Sequence, residues 1–283
     1  MSRALLAAVA AGALLAPAAG RAAAPPSAPP IGKASPVAAA APTPPRKASP
    51  EERAAADRLD PLARAAFWGR EADIDPTDAV AGVHLATALR ALGQYDAAIQ
   101  ASGRVLVLAP RDTDALMETA RAYIAKGDGF YAIDPLQQAQ ALAPRDWRPL
   151  SLLGIAYAQV KRDADAQAVW RQALALSPDN PSVLSNMAME MAATGDVAGA
   201  EPLLRRAAAQ PGASLTVRQD LSLVLGLEGK LGEAEEILRR DLPPAEADAD
   251  LAYLQAASSG RGAAPTADAT PTRTWASVKN GGS

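Results

Sequence analysis

The sequence predicts an all-α fold, a solenoid of stacked helix pairs, from a repeat, a set of residue columns and an unusual composition. Leu-Ala-Pro-Arg-Asp occurs at 108–112 and again at 142–146, 34 residues later. On that spacing prolines fall at Pro76, Pro110, Pro144 and Pro178, with Pro211-Gly212 one residue out of step. Gly93, Gly127, Gly195 and Gly229 share a phase, with Lys161 in the vacant place. Ala98, Ala132, Ala166, Ala200 and Ala234 form an unbroken alanine column, and Ala86, Ala120, Gly154, Ala188 and Ser222 a second column of small residues. A self-similar period of this size marks a repeat array. The chain is 49% apolar but only 4% aromatic, which suits closely packed helices better than sheets.

Each unit is read as two helices. The first is expected from about the fourth residue of a unit to just before the glycine. The chain then turns, and the second helix carries the alanine column until proline stops it. The small residues mark the places where two helices cross. One such pair cannot cover its own apolar face, so units must stack, and a stacked array curves around a concave groove.

From the N-terminus, residues 1–24 read as an export signal: Arg3, an apolar run from Ala4 to Ala16, and small residues at Ala18, Gly20, Ala22 and Ala24. Residues 25–48 form an Ala/Pro-rich linker that cannot bury enough apolar surface to offset its ordering entropy. Order is expected from Ser49, where Ser49-Pro50-Glu51-Glu52 spells a capping box with proline at the first helical position. A degenerate unit covers 49–78, with Asp60-Pro61 opening its second helix. Five fuller units follow at 79–112, 113–146, 147–180, 181–214 and 215 to about 244. Ala245 to Ala257 reads as a closing helix, so the solenoid spans 49–257, and 258–283 is a polar tail containing Trp275.

Several chemistries are excluded. The chain has no cysteine and one histidine, which removes disulfides, thiolate metal sites and multi-histidine sites. No phosphate-binding glycine loop, metal-ligand spacing or nucleophile–base pair is found, so neither a cofactor nor catalysis is expected. Gly127-Asp128-Gly129 lacks the oxygen ligands of a calcium loop and reads as a turn. Residues 1–48 hold five basic and no acidic side chains, and 258–283 three basic and one acidic. With a net charge of −3 overall, the solenoid is left ten units negative, which argues against nucleic acid.

The columns resemble the tetratricopeptide repeat in length, glycine, small residues and terminal proline. That resemblance implies protein or peptide binding without a small-molecule substrate. The phase then proposes groove residues on the first helices: His84 and Thr87, Glu118 and Arg121, Ser151 and Ile155, Asn186 and Met189, Gln219 and Leu223. Trp170 and Tyr157 are read as core. Gly129-Phe130-Tyr131 puts glycine where such repeats have a bulky residue, and a local distortion is expected there. Trp275 offers a docking motif in the tail.

Longer phrases resemble a narrower family. Gly129-Phe130-Tyr131-Ala132-Ile133, Asp146-Trp147-Arg148 with Ser151-Leu152-Leu153-Gly154, Pro211-Gly212-Ala213-Ser214 with Val217-Arg218-Gln219-Asp220-Leu221, and Arg239-Arg240-Asp241-Leu242-Pro243-Pro244 with Leu251-Ala252-Tyr253-Leu254 look like the TadD proteins of tight-adherence (Flp) pilus systems. The resemblance, from about Leu59 to Ala257, implies a periplasmic assembly factor, pilotin-like, whose partner is the outer-membrane secretin or another pilus component. A general periplasmic scaffold for envelope or cell-wall machinery is the alternative. Members of the family are commonly anchored through a cysteine after the signal peptide. This chain has none, so its membrane association is expected to be weak and peripheral at most, or its start differs from the native one.

Overall fold

The computed structural model describes residues 46–258; the expected export signal, the expected linker up to residue 45, and the tail with Trp275 lie outside the described residues. The described residues form thirteen α-helices. A degenerate pair, α1 (Pro50–Ala56) and α2 (Pro61–Ile74), comes first. Five pairs follow: α3 (Ala79–Ala91) and α4 (Tyr95–Leu108); α5 (Thr113–Lys126) and α6 (Gly129–Leu142); α7 (Trp147–Gln159) and α8 (Asp163–Leu176); α9 (Pro181–Ala193) and α10 (Val197–Ala208); α11 (Leu215–Leu227) and α12 (Leu231–Asp241). Helix α13 (Pro244–Ser258) closes the array.

The first helix of each of the five fuller units starts at the unit's first residue, three residues earlier than the sequence reading expects. The cause is a column that reading overlooked. Asp78, Asp112, Asp146, Asn180 and Ser214 each stand one residue before the helix, and each side-chain oxygen accepts from backbone N–H groups of the first turn, as Asp78 does from Ala81 at 3.0 Å and Asp112 from Ala115 at 2.9 Å. Such caps satisfy donors that a helix start leaves without partners. At the N-terminus the capping box of Ser49 and Glu52 forms as expected.

The glycine column ends the first helices. Gly93, Gly127, Gly195 and Gly229 have φ between +72° and +101°, the left-handed region, and Lys161 adopts φ +61° in the same place. A side chain there costs about 1 kcal/mol. Lys161→Gly is therefore expected to raise stability by about 0.5–1 kcal/mol, read as a higher urea midpoint at unchanged slope; a lower midpoint would contradict this account.

Packing follows the alanine columns. Ala98, Ala132, Ala166, Ala200 and Ala234 are fully buried, as are Ala86, Ala120 and Ala188. The third unit differs. Gly154 occupies the small-residue position, and any Cβ there would overlap the indole of Trp170. That indole fills a place held by Ser102, Leu136, Leu204 and Leu238 in the other units, and its Nε1–H donates to the Ser151 carbonyl at 3.0 Å. The larger ring and the missing methyl compensate each other. Tyr157 is buried beside it, so both aromatics are core as read.

The distortion expected at Gly129 does not occur: α6 runs unbroken from Gly129. The side chain of Gln159 takes the space, with its Nε2 donating to the Ile124 carbonyl at 2.9 Å, and a Cβ on Gly129 would lie 2.8 Å from Gln159 Cβ and 2.9 Å from the Ala156 carbonyl.

Successive first helices α3, α5, α7, α9 and α11 touch one another, whereas second helices pack on their own partner and on the next unit's first helix. The first helices therefore form the inner, closely spaced layer, and the second helices are spread over the outer one. Both ends are finished. At the start, the Glu71 carboxylate is fully buried, accepts the Ala48 N–H at 3.0 and 3.1 Å, and receives Arg53 at 2.9 Å. Arg53 also reaches Asp78 at 2.6 Å, and Lys47 reaches Asp75 at 2.5 Å. Residues 46–48, placed with the linker on composition, are thus tied to the solenoid. At the far end Leu254 of α13 packs over Gly226 of α11.

Candidate functional site

The inner face is built from one stripe of each first helix. Residues at i, i+4 and i+7 share a helix face, which aligns Val80, His84 and Thr87 on α3; Asp114, Glu118 and Arg121 on α5; Arg148, Leu152 and Ile155 on α7; and Ser182, Asn186 and Met189 on α9. Six of the proposed residues sit within these sets on α3, α5 and α9, and Ile155 within the α7 set.

Ser151 and Gln219 stand one position off this stripe, a rotation of about 100° on a helix. The structure places both inside the packing, 5% and 9% exposed. Ser151 accepts a long hydrogen bond of 3.5 Å from Asn186 Nδ2 in the next unit. The buried Gln219 amide nitrogen has no hydrogen-bond partner. Met189 and Leu223 are also buried, in the cluster that joins the last two units to α13.

Glu118 is 2% exposed and lies on a seam between units: Arg90 of α3 donates to it at 2.5 Å and Arg121 at 3.4 Å. Arg90 was not among the proposed residues, and nothing in the repeat columns singles it out. His84 Nδ1 lies 2.9 Å from Asp57, and its ring stacks on Trp68 with centroids 4.3 Å apart. The Thr87 hydroxyl donates to the Val83 carbonyl one turn back at 3.0 Å. Of the ten proposed residues, His84, Thr87, Arg121, Ile155 and Asn186 keep accessible surface. The stripe also begins one turn earlier than proposed, with Val80, Asp114, Arg148 and Ser182 all exposed. The spacing by four could have found them.

This face is a mixed polar and apolar surface, with the Arg90–Glu118 pair at the seam of its first two helices. Among the described residues no group of three or more His, Asp or Glu is placed to hold a metal ion, and no helix is long and apolar enough to cross a membrane. Asp248 of α13 pairs with Arg239 at 3.0 Å.

The likeness to solved structures is broad. A thermophilic TPR protein, TTC0263 from Thermus thermophilus, superposes with a TM-score of 0.56 at 23% identity, over 62% of this chain and 98% of that one. A tetratricopeptide repeat protein from Parabacteroides merdae gives 0.56 at 14%, over 73% and 85%. The fold is a tetratricopeptide-repeat solenoid. Pseudomonas aeruginosa pilF matches this solenoid with a TM-score of 0.50 at 19% identity, over 67% and 84%, a likeness that shows the fold alone. No protein-family model matches the sequence, and no curated protein does. Tetratricopeptide-repeat solenoids present extended concave surfaces to proteins and peptides.

Proposed function

We propose that the solenoid is a non-enzymatic binding module that acts as a pilotin-like assembly factor for the tight-adherence (Flp) pilus machinery. In this reading it works in the periplasm and supports assembly of the outer-membrane secretin.

The observation that carries the proposal is where the family-like phrases meet. Arg218, from Val217-Arg218-Gln219-Asp220-Leu221, donates to Asp241 of Arg239-Arg240-Asp241-Leu242-Pro243-Pro244 at 2.6 Å. The same guanidinium donates to the carbonyl of Ala213, from Pro211-Gly212-Ala213-Ser214, at 3.0 Å. The stretch 211–221 and the separate phrase 239–244 thus form one junction, which supports reading them as a single inherited feature rather than as separate turns. Asp220 continues the junction inward, accepting the Ser185 hydroxyl at 2.5 Å.

The test is the abundance of detergent-resistant secretin multimers in membranes of a deletion strain, beside the same strain carrying the intact gene. Loss of multimers, restored by the gene, is the expected result. Unchanged multimers with normal surface pili would overturn the reading and leave the general periplasmic scaffold in its place. Where multimers are lost, Arg121→Ala and Asn186→Ala test whether the exposed part of the inner stripe is responsible.

A further inference from the structure

The five full units serve as internal controls for one another, and the outer surface of α6 fails to match its siblings. At the two exposed residues opening the second helix, the other units carry Asp96-Ala97, Ala164-Asp165, Ala198-Gly199 and Gly232-Glu233, all small or acidic. The second unit carries Phe130-Tyr131, and these rings are 69% and 59% exposed. Two turns further along, the other units place at least one arginine outward: Arg104, Arg171, Arg205 with Arg206, and Arg239 with Arg240. The second unit has the amides Gln137 and Gln138 instead.

The difference changes what the surface does. On α10 and α12 the arginines are consumed in ion pairs, such as Arg205 with Glu201 and Glu233, Arg239 with Glu235, and Arg206 with Asp179. Among the described residues α6 enters no ion pair; its one carboxylate, Asp134, accepts from Gln138 at 2.7 Å. A furrow of about 620 Å³ opens here, between α4 and α6 with α5 as its floor. Tyr123, Phe130, Tyr131 and Pro135 give it apolar walls, Gln137 and Gln138 give it amides, and one carboxylate, Asp134, and one guanidinium, Arg162, leave the lining without net charge. The Tyr123 and Tyr131 rings lie 5.5 Å apart, and Phe130 stands edge-on to Tyr131 at the same separation. Pro135, at a place held by Ala101, Val169, Leu203 and Ile237 in the other units, is one of its lining residues.

We infer that this furrow is a second docking surface, separate from the inner stripe, for an uncharged, extended, proline-rich segment of a partner protein. The complementarity is one of matched neutrality. A charged partner would find the two charged groups of the lining, Asp134 and Arg162, already engaged by Gln138 and Asp165, and burying its charge against rings would cost free energy. A proline-rich segment keeps a polyproline II form without internal hydrogen bonds, so its carbonyls remain free to accept from amide donors while its pyrrolidine rings pack on aromatic faces. Crossed tyrosine and phenylalanine rings flanked by glutamine amides supply both halves of that recognition.

The experiment is a fluorescence-anisotropy titration of the full chain into labelled decaproline, beside a labelled alanine–glutamine decamer of the same length. The comparison protein is F130D/Y131A, which installs the residues of the preceding unit at two exposed positions and so leaves the core untouched. Binding of decaproline but not of the control peptide, weakened at least about tenfold in F130D/Y131A with the melting temperature unchanged, is the expected result. Equal binding of both peptides, no binding at millimolar protein, or equal affinity of the variant for decaproline would overturn it. Sedimentation of the same two proteins provides a further check. Self-association of the native chain that the double substitution abolishes would assign the furrow to a second copy of this chain and overturn the inference as stated.

Discussion

Gly154→Ala is expected to lower the stability of the solenoid by about 1–3 kcal/mol, although it adds a single methyl group and raises helix propensity. The added carbon would fall on the Trp170 indole, and the ring can yield only by giving up its hydrogen bond to the Ser151 carbonyl. A compensating pair makes the prediction specific. The neighbouring units hold Ala120 opposite Leu136 and Ala188 opposite Leu204, so G154A/W170L rebuilds an arrangement the fold already uses. Trp170→Leu alone leaves a cavity beside Gly154 and is expected to cost about 2–4 kcal/mol. The double variant should recover at least about 1 kcal/mol of the summed losses, a coupling typical of residues in contact. Urea unfolding of the four proteins checks this, and strictly additive losses would show that the two side chains do not compensate each other.

Glu71→Ala is expected to cost about 1–3 kcal/mol, because it leaves the Ala48 N–H without its acceptor and removes one of the two carboxylates that hold Arg53. The Glu71 carboxylate gathers the Ala48 N–H and the Arg53 guanidinium at a site with no solvent exposure. Arg53 would retain Asp78, and the freed Ala48 N–H would release residues 46–48 from the array. The loss should be local. Hydrogen exchange is expected to accelerate across α1 and α2 while α9 to α13 keep their protection, since the two regions share no contacts. Uniform acceleration through all thirteen helices would contradict a local clamp.

The sequence made the architecture readable because a solenoid writes its packing rules five times. The alanine columns, the glycine turns and even the left-handed Lys161 stand at their expected places, since a steric demand repeated at fixed spacing leaves a visible column. The cap column at Asp78, Asp112, Asp146, Asn180 and Ser214 was equally regular, but it alternates three residue types that share only a short side chain with an acceptor oxygen. The site was less readable. Phase assigns a face, yet whether a side chain on that face reaches solvent depends on how closely the neighbouring first helix approaches. That approach buries Glu118, Met189 and Leu223 and leaves Arg121 and Asn186 accessible. The one-residue offset of Ser151 and Gln219 turned both into the interior. The Phe130-Tyr131 anomaly was visible in the sequence but read as strain, because the filler for Gly129 comes from Gln159, in the following unit.

The layering has a consequence for how the molecule transmits change. Each helix touches partners no more than two elements away along the chain, so no contact links the Glu71 clamp to the Arg218 junction. A disturbance at one end must travel through every intervening unit, weakening or stopping at each interface it crosses. Occupancy of a surface at one end of the array need not alter affinity at the other, several units away.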